Sequence, residues 1–309
     1  MTVVGQVCDC NGADLCQYGG RTCFVIVVGI FPDERGWKKC ISLRPEINDM
    51  VKALFFDIDG TLVSFRTHAI PDSAVDAVRT AKEKGIEIFI STGRPPLLIS
   101  NIGQIERYVD GYVSTNGAYC YVGNEEIYLK TIPEKDVETL VNEGEKNGFT
   151  YLLVGLDEIA VFHPSDIYRD YFCELLNIDV VRTDCNPADF LRKPILQMTA
   201  FFDVDTEKKM MTCLPGSISS RWNPYFTDIT ASEADKGKGM LAMASRRGFL
   251  PEEVMAFGDG GNDIPIIKAA GTGIAMGDGN KSLKEVADYV TAPLDEDGVA
   301  YALRHYGII

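Results

Sequence analysis

Two aspartates two positions apart, Asp57 and Asp59, close the apolar run in "ALFFDIDGT" and lead into Gly60 and Thr61. Aspartates also suit strand-to-loop turns and helix caps, so the pair alone decides nothing. Three further motifs change the weighing. "STGR" (91–94) offers the Thr92 hydroxyl and the Gly93 amide, "DKGKG" (235–239) places Lys236 and Lys238 at a helix start, and "GDGGND" (258–263) supplies Asp259, Asn262 and Asp263. Oxygen-only carboxylate donors suit a hard cation such as Mg2+. A lysine suits an anion. The set is compatible with a small anionic substrate, provided a metal ion or local cationic cluster overcomes the repulsion of the carboxylates.

The elements that must position these groups can be read from apolar runs. "KALFFDI" (52–58) and "IEIFIS" (86–91) have the continuous apolar character of buried strands, and "GYVST" (111–115) reads as a third. Between the first two lies a helix over 71–85, which Asp72 can cap and Gly85 stops. "PPLLISNIGQIERY" reads as a second helix, opened by proline. Strand–helix alternation predicts parallel pairing with right-handed crossovers, hence a Rossmann-like, doubly wound α/β sheet. Ligands of such sheets collect at the carboxyl ends of the strands, where the motifs fall. The same rhythm returns over 252–307, with strands at 252–259, 271–276 and 289–292 and a closing helix. Between the halves, helical segments at 133–147, 164–176 and 204–213 alternate with short strands such as "TYLLVG", "EIAVFH" and "ILQMTAFF". This texture predicts an α+β module inserted over about 132–232, leaving a discontinuous core of 50–131 and 233–309.

Composition narrows the partners. The chain of 309 residues has a formal charge of −15, from 45 acidic and 30 basic residues, which argues against a nucleic-acid or anionic-membrane surface. The longest apolar stretch, "CFVIVVGIF" (23–31), is too short to span a bilayer, and the amino terminus lacks the pattern of a signal peptide. A cytoplasmic location and a monomer are the default expectations. Five of the nine cysteines, Cys8, Cys10, Cys16, Cys23 and Cys40, fall in the first forty residues, without the paired spacing or nearby histidine of a zinc site.

Taken in order, "DIDGT", "STGR", "KG" and "GDGGND" resemble the haloacid dehalogenase superfamily of phosphotransferases. The insert between the second and third motifs, preceded by "TNGAY" (115–119), resembles the Cof-like sugar-phosphatase branch with a type IIB cap. The resemblance covers residues 50–309. It implies a Mg2+-dependent phosphatase acting on a small phosphorylated metabolite, with sugar phosphates favoured. The implied roles are Asp57 as nucleophile, giving an aspartyl-phosphate, and Asp59 as proton carrier. Implied metal ligands are the Asp57 carboxylate, the Asp59 carbonyl and Asp259, with Asp263 coordinating directly or from behind. Thr92, the Gly93 amide, Asn262 and a lysine would hold the phosphoryl oxygens. The resemblance implies Lys236, whose distance from Asp259 agrees better with the spacing in relatives, and leaves Lys238 solvated. A phosphomutase or phosphotransferase shares these motifs, and a receiver-like phospho-acceptor shares part of them.

The remaining candidates read more plainly. Arg94 could reach phosphate, but an arginine opening a helix is as often a surface ion pair. His68, His163 and His305 have no metal-like spacing, and the aromatics of "RWNPYF" (221–226) suit packing better than sugar stacking. Residues 1–49 are expected to be a leader, disordered or not native, because Met50 stands where relatives begin.

Overall fold

Every residue of Ala53–Phe56 is buried, yet its side chains alternate between two different cores. Leu54 and Phe56 enter one apolar layer, and Ala53 and Phe55 enter the layer on the opposite face of the sheet. A strand covered on both sides has no polar face to display, which is why its sequence shows an unbroken apolar run. Phe56 stacks on Phe257 at 4.7 Å and Phe55 on Phe89 at 4.6 Å, one pair in each layer. Each fully buried phenylalanine contributes roughly 1.5–3 kcal/mol of apolar transfer.

The computed structural model describes residues 15–18, 21–24, 50–176, 181–221 and 223–309. The chain divides into two units, Met1–Met50 and Val51–Ile309. In the first, β1 (Leu15–Tyr18) and β2 (Arg21–Phe24) pair antiparallel, strands not expected at those positions. The rest of the expected leader lies outside the described residues.

The second unit holds two sheets. Its larger one contains β3 (Ala53–Phe56), β4 (Glu87–Ser91), β5 (Gly111–Ser114), β6 (Tyr119–Val122) and β7 (Glu125–Leu129). The smaller one contains β8 (Tyr151–Val154), β9 (Ile159–Phe162), β10 (Gln197–Ala200), β11 (Ser217–Ser220) and β12 (Thr227–Ala231). The larger sheet is completed by β13 (Val254–Gly258), β14 (Thr272–Ala275) and β15 (Tyr289–Val290). Its order is β15-β14-β13-β3-β4-β5-β6-β7, parallel from β15 to β5. Helices Asp72–Glu83 and Gly298–His305 cover one face, and Lys236–Arg247 and Ile264–Ala269 the other. This is the doubly wound α/β core expected, extended by an antiparallel hairpin, β6–β7, within the expected core bounds but not foreseen as strands.

The smaller sheet has the order β11-β12-β10-β8-β9 and is antiparallel throughout. Helix Glu134–Asn147 packs Val137, Leu140 and Val141 on the face that carries Tyr151, Leu153 and Met198. The other face, with Leu152, Val154, Gln197 and Thr199, lines a cavity shared with the larger sheet.

Two local expectations are corrected. No helix forms over "PPLLISNIGQIERY"; only the 3-10 turns Pro96–Leu98 and Glu106–Tyr108 appear. Leu98 packs under the second sheet while Ile102 and Ile105 enter the main core, and Gly103 between them weakens any helix. Asp72 is the first residue of its helix rather than its cap; Pro71 holds the cap position.

Candidate active site

The carboxyl ends of β13, β3 and β4 lie side by side, because Phe56 is in register with Phe257 on one side and Ile90 on the other. Asp57, Asp259 and Thr92 therefore leave the sheet at adjacent points of one edge. Gly60 turns the chain back with φ 86°, and its amide donates to the Val63 carbonyl at 2.9 Å. A Cβ there would sit 2.5 Å from Asp259 Oδ2, so glycine is needed for both conformation and space. The Thr61 hydroxyl donates to Asp259 Oδ1 at 3.0 Å, tying the loop after β3 to the loop after β13.

Lys236 has no exposed surface, and its ammonium donates to Asp57 Oδ1 at 2.6 Å and to Asp263 Oδ1 at 2.5 Å. Asp235 caps the same helix by accepting the Lys238 amide at 2.8 Å. Lys238 lies at the surface, its ammonium on the Glu233 carbonyl at 3.0 Å. The other oxygen of Asp263 accepts the Asp259 and Gly260 amides at 3.1 and 3.0 Å. Asp57, Asp259 and Asp263 offer carboxylate oxygens all within 4.8 Å of one another. Burial holds Asp57 well above the usual carboxylate range, against the pull of Lys236 and with added repulsion from Asp263, Asp259 and Asp59. Asp259 is pushed up to about 7 by burial and by Asp263. Lys236 is raised despite burial, because Asp263 and Asp57 favour its charged form. The cluster is short of positive charge.

Arg94 is not the surface pair its position allowed. It is largely buried and donates from Nε to Asp59 Oδ2 at 2.7 Å and from Nη2 to Asp59 Oδ1 at 2.8 Å. Asn101 Nδ2 stands 3.5 Å from the same Oδ1.

Thr92 and Gly93 line the cavity, and so do Asn262 and Asn116. Asn262 Nδ2 donates to Asn116 Oδ1 at 3.0 Å. Asn116 belongs to a run of left-handed residues, with φ of 52° at Thr115, 53° at Asn116 and 87° at Gly117. A positive φ is strained for a β-branched threonine, and such outliers gather at functional sites. Gly117 lets this loop close on the lysine's helix, since a Cβ there would lie 2.1 Å from the Asp235 carbonyl oxygen.

The structure thus gathers Asp57, Asp59, Thr92, Gly93, Asp259, Asn262 and Asp263 at one edge of one sheet, and Lys236 reaches that edge from the start of its helix. Sequence reading missed the Arg94–Asp59 pair, the contact of Asn116, and three polar residues of the smaller sheet, Gln197, Thr199 and Asp228, that line the cavity. "TNG" carried a signal for Asn116, because asparagine tolerates the left-handed region. His68 and Phe65 also line the cavity. His163 bonds Glu145 at 2.9 Å, and His305 stacks on Tyr289 at 4.3 Å. From "RWNPYF", Phe226 is buried in packing, Tyr225 is exposed, and Trp222 lies outside the described residues.

With a mostly parallel sheet, an inserted second sheet and acidic groups at the strand ends, the chain has the architecture of a phosphoryl-transfer hydrolase. The family model for haloacid dehalogenase-like hydrolases matches residues 54–303, and the chain belongs to that family. It is 32% identical over 261 residues to the putative phosphatase YkrA of Bacillus subtilis, covering 84% of this chain and 98% of that protein. It is 26% identical to a phosphoglycolate phosphatase of Methanopyrus kandleri, over 82% of this chain and 97% of that one. A solved structure described as the subclass IIB sugar phosphatase BT4131 is 42% identical, with a TM-score of 0.79, covering 84% of this chain and all of that one. The chain is a Cof-like phosphatase with a type IIB cap, a hydrolase of phosphate monoesters. Among the described residues no helix is long and apolar enough to cross a membrane.

Proposed function

We propose that the protein is a Mg2+-dependent phosphatase of small phosphorylated metabolites, with sugar phosphates, hexose phosphates among them, as its substrates. The observation that carries this reading is the buried Lys236 ammonium between Asp57 and Asp263, beside Asp259 at the same sheet edge. One ammonium among three close carboxylates leaves room for a divalent cation, and the donors are all oxygen, as Mg2+ requires. The Asp57 and Asp259 carboxylates and the Asp59 carbonyl would hold it. Both oxygens of Asp263 are already engaged, by Lys236 and by two backbone amides, so Asp263 fits an orienting role better than a coordinating one. When bound, the ion neutralises charge between two anions that would otherwise repel.

In this reading an Asp57 oxygen attacks phosphorus while the bond to the ester oxygen breaks. Asp59 gives its proton to that oxygen, releasing an alcohol. Asp59 then takes a proton from water as the water oxygen attacks phosphorus. The bond to Asp57 breaks, leaving inorganic phosphate and a free carboxylate. Lys236, the Gly93 amide, Thr92 and Asn262 stabilise the phosphoryl oxygens. Residues 132–232 act as a cap over a cavity of about 250 Å3, below the roughly 300–1,000 Å3 typical of drug-sized ligands. That size favours a small metabolite, and the sugar-phosphatase likeness supports the class.

The test is phosphate release from a panel of hexose phosphates and other small esters, with chelator-treated protein and with Mg2+ restored. Hydrolysis that needs Mg2+ is expected. No hydrolysis of any ester, or full activity in chelator, contradicts the reading.

A further inference from the structure

Opposite the catalytic aspartates, the smaller sheet presents a wall that is apolar on one side and polar on the other. Leu152, Val154 and Ile159 form the apolar part, with Phe172 of the helical segment Ile167–Phe172 beside them. Gln197, Thr199 and Asp228 form the polar part, on the neighbouring strands β10 and β12, where Thr199 and Asp228 are in register. Strand alternation turns Gln197 and Thr199 to the cavity while Met198 and Ala200 enter the core behind.

Gln197 is only 5% exposed. Its Nε2 donates to Asp228 Oδ1 at 3.0 Å and to Thr199 Oγ1 at 3.2 Å, and Thr199 Oγ1 donates to the same Asp228 oxygen at 2.7 Å. A carboxylate accepts but does not donate, so it fixes which end of the amide faces it. The nitrogen is held, and the carbonyl oxygen is left over. Oε1 is buried and has no hydrogen-bond partner among the described residues. Across the cavity Asn101 Oδ1 is buried and unpartnered as well. Two buried acceptors without donors thus belong to residues that line one cavity, which also offers an apolar surface. A sugar ring matches both, with hydroxyl hydrogens to give and carbon faces to pack.

We propose that Gln197, oriented by Thr199 and Asp228, determines the leaving group: it accepts a hydroxyl hydrogen and selects neutral polyol phosphates over esters bearing a second anion. A carboxylate on the leaving group has no hydrogen for Oε1 and sets a second acceptor against it. A site built around a hydrogen bond rejects a ligand that cannot complete it. The inference rests on the phosphatase reading and adds the residue and the chemical class it selects.

The experiment measures kcat/KM of the full chain for a hexose 6-phosphate, propyl phosphate and phosphoglycolate, then repeats it for Gln197→Met and Asp228→Asn. The unmodified protein is expected to prefer the hexose phosphate to both others. In Gln197→Met the ratio of hexose phosphate to propyl phosphate should fall about tenfold or more, chiefly through KM. In Asp228→Asn the ratio of phosphoglycolate to hexose phosphate should rise. A preference of the unmodified protein for phosphoglycolate or propyl phosphate overturns the proposal, even if a variant fails to fold. Equal losses on all esters in folded variants overturn it too, by making the residues structural. Hydrolysis of none of the three by the unmodified protein sinks the phosphatase reading instead, which separates the two failures.

Discussion

Arg94 grips Asp59 with two hydrogen bonds, Nε to Oδ2 at 2.7 Å and Nη2 to Oδ1 at 2.8 Å. The planar guanidinium matches both carboxylate oxygens at once, which fixes the direction of the aspartate as well as its position. In the proposed reaction Asp59 carries a proton on one oxygen to the ester oxygen. Arg94 must therefore release that oxygen when substrate enters, while its bond to the other keeps the carboxyl directed. Arg94→Lys keeps the charge but loses the fork. It should lower kcat on the order of ten- to a hundredfold with little change in thermal midpoint. Steady-state rates and a melting curve check this; an unchanged kcat would detach Arg94 from the reaction.

Lys236 and Lys238 are two residues apart yet occupy opposite environments. Removing a fully buried ammonium leaves Asp57 and Asp263 facing one another without compensation. Lys236→Ala should lose nearly all turnover and about 3–5 kcal/mol of stability in chelator. Lys238→Ala should stay within about 0.5 kcal/mol of the unmodified chain, as surface changes do. Phosphate release and denaturant unfolding of both variants decide it. The reverse pattern would overturn the assignment of the lysine.

At Gly60 a methyl group would meet the Asp259 carboxylate at 2.5 Å and hold a φ of 86° that alanine resists. Gly60→Ala should therefore displace Asp259 and raise the Mg2+ concentration for half-maximal activity by about tenfold or more. A Mg2+ titration of the rate reads this directly. An unshifted titration would remove Asp259 from the metal site.

Every site residue named above falls within Val51–Ile309, which forms a unit of its own. A chain beginning at Met50 should release phosphate at the rate of the full chain and melt at the same temperature. Loss of either would make residues 1–49 part of the working protein.

The strand ends were legible because buried parallel strands announce themselves as unbroken apolar runs, and the motifs follow them directly. The sequence alone therefore places Asp57, Asp259 and Thr92 on one edge. What could not be read depends on contacts between distant or sterically special residues. Nothing local tells that Arg94 reaches Asp59, 35 positions earlier, since an arginine after a turn reads as a solvated charge. The segment after Pro95 carried a helical period, but Leu98 and Ile102 serve different cores, and packing overrode it. Gln197 and Thr199 show the alternation of a strand, yet alternation does not say which of its two faces meets the substrate.

The central claim is that Asp57 takes the phosphoryl group. The most direct measurement mixes the protein with a hexose phosphate and Mg2+, quenches in acid within the first turnover, and maps any phosphoryl adduct by peptide mass. The account predicts an acid-trapped adduct on the peptide containing Asp57, absent in Asp57→Asn together with phosphate release. An adduct on another residue, or undiminished phosphate release by folded Asp57→Asn, would contradict it.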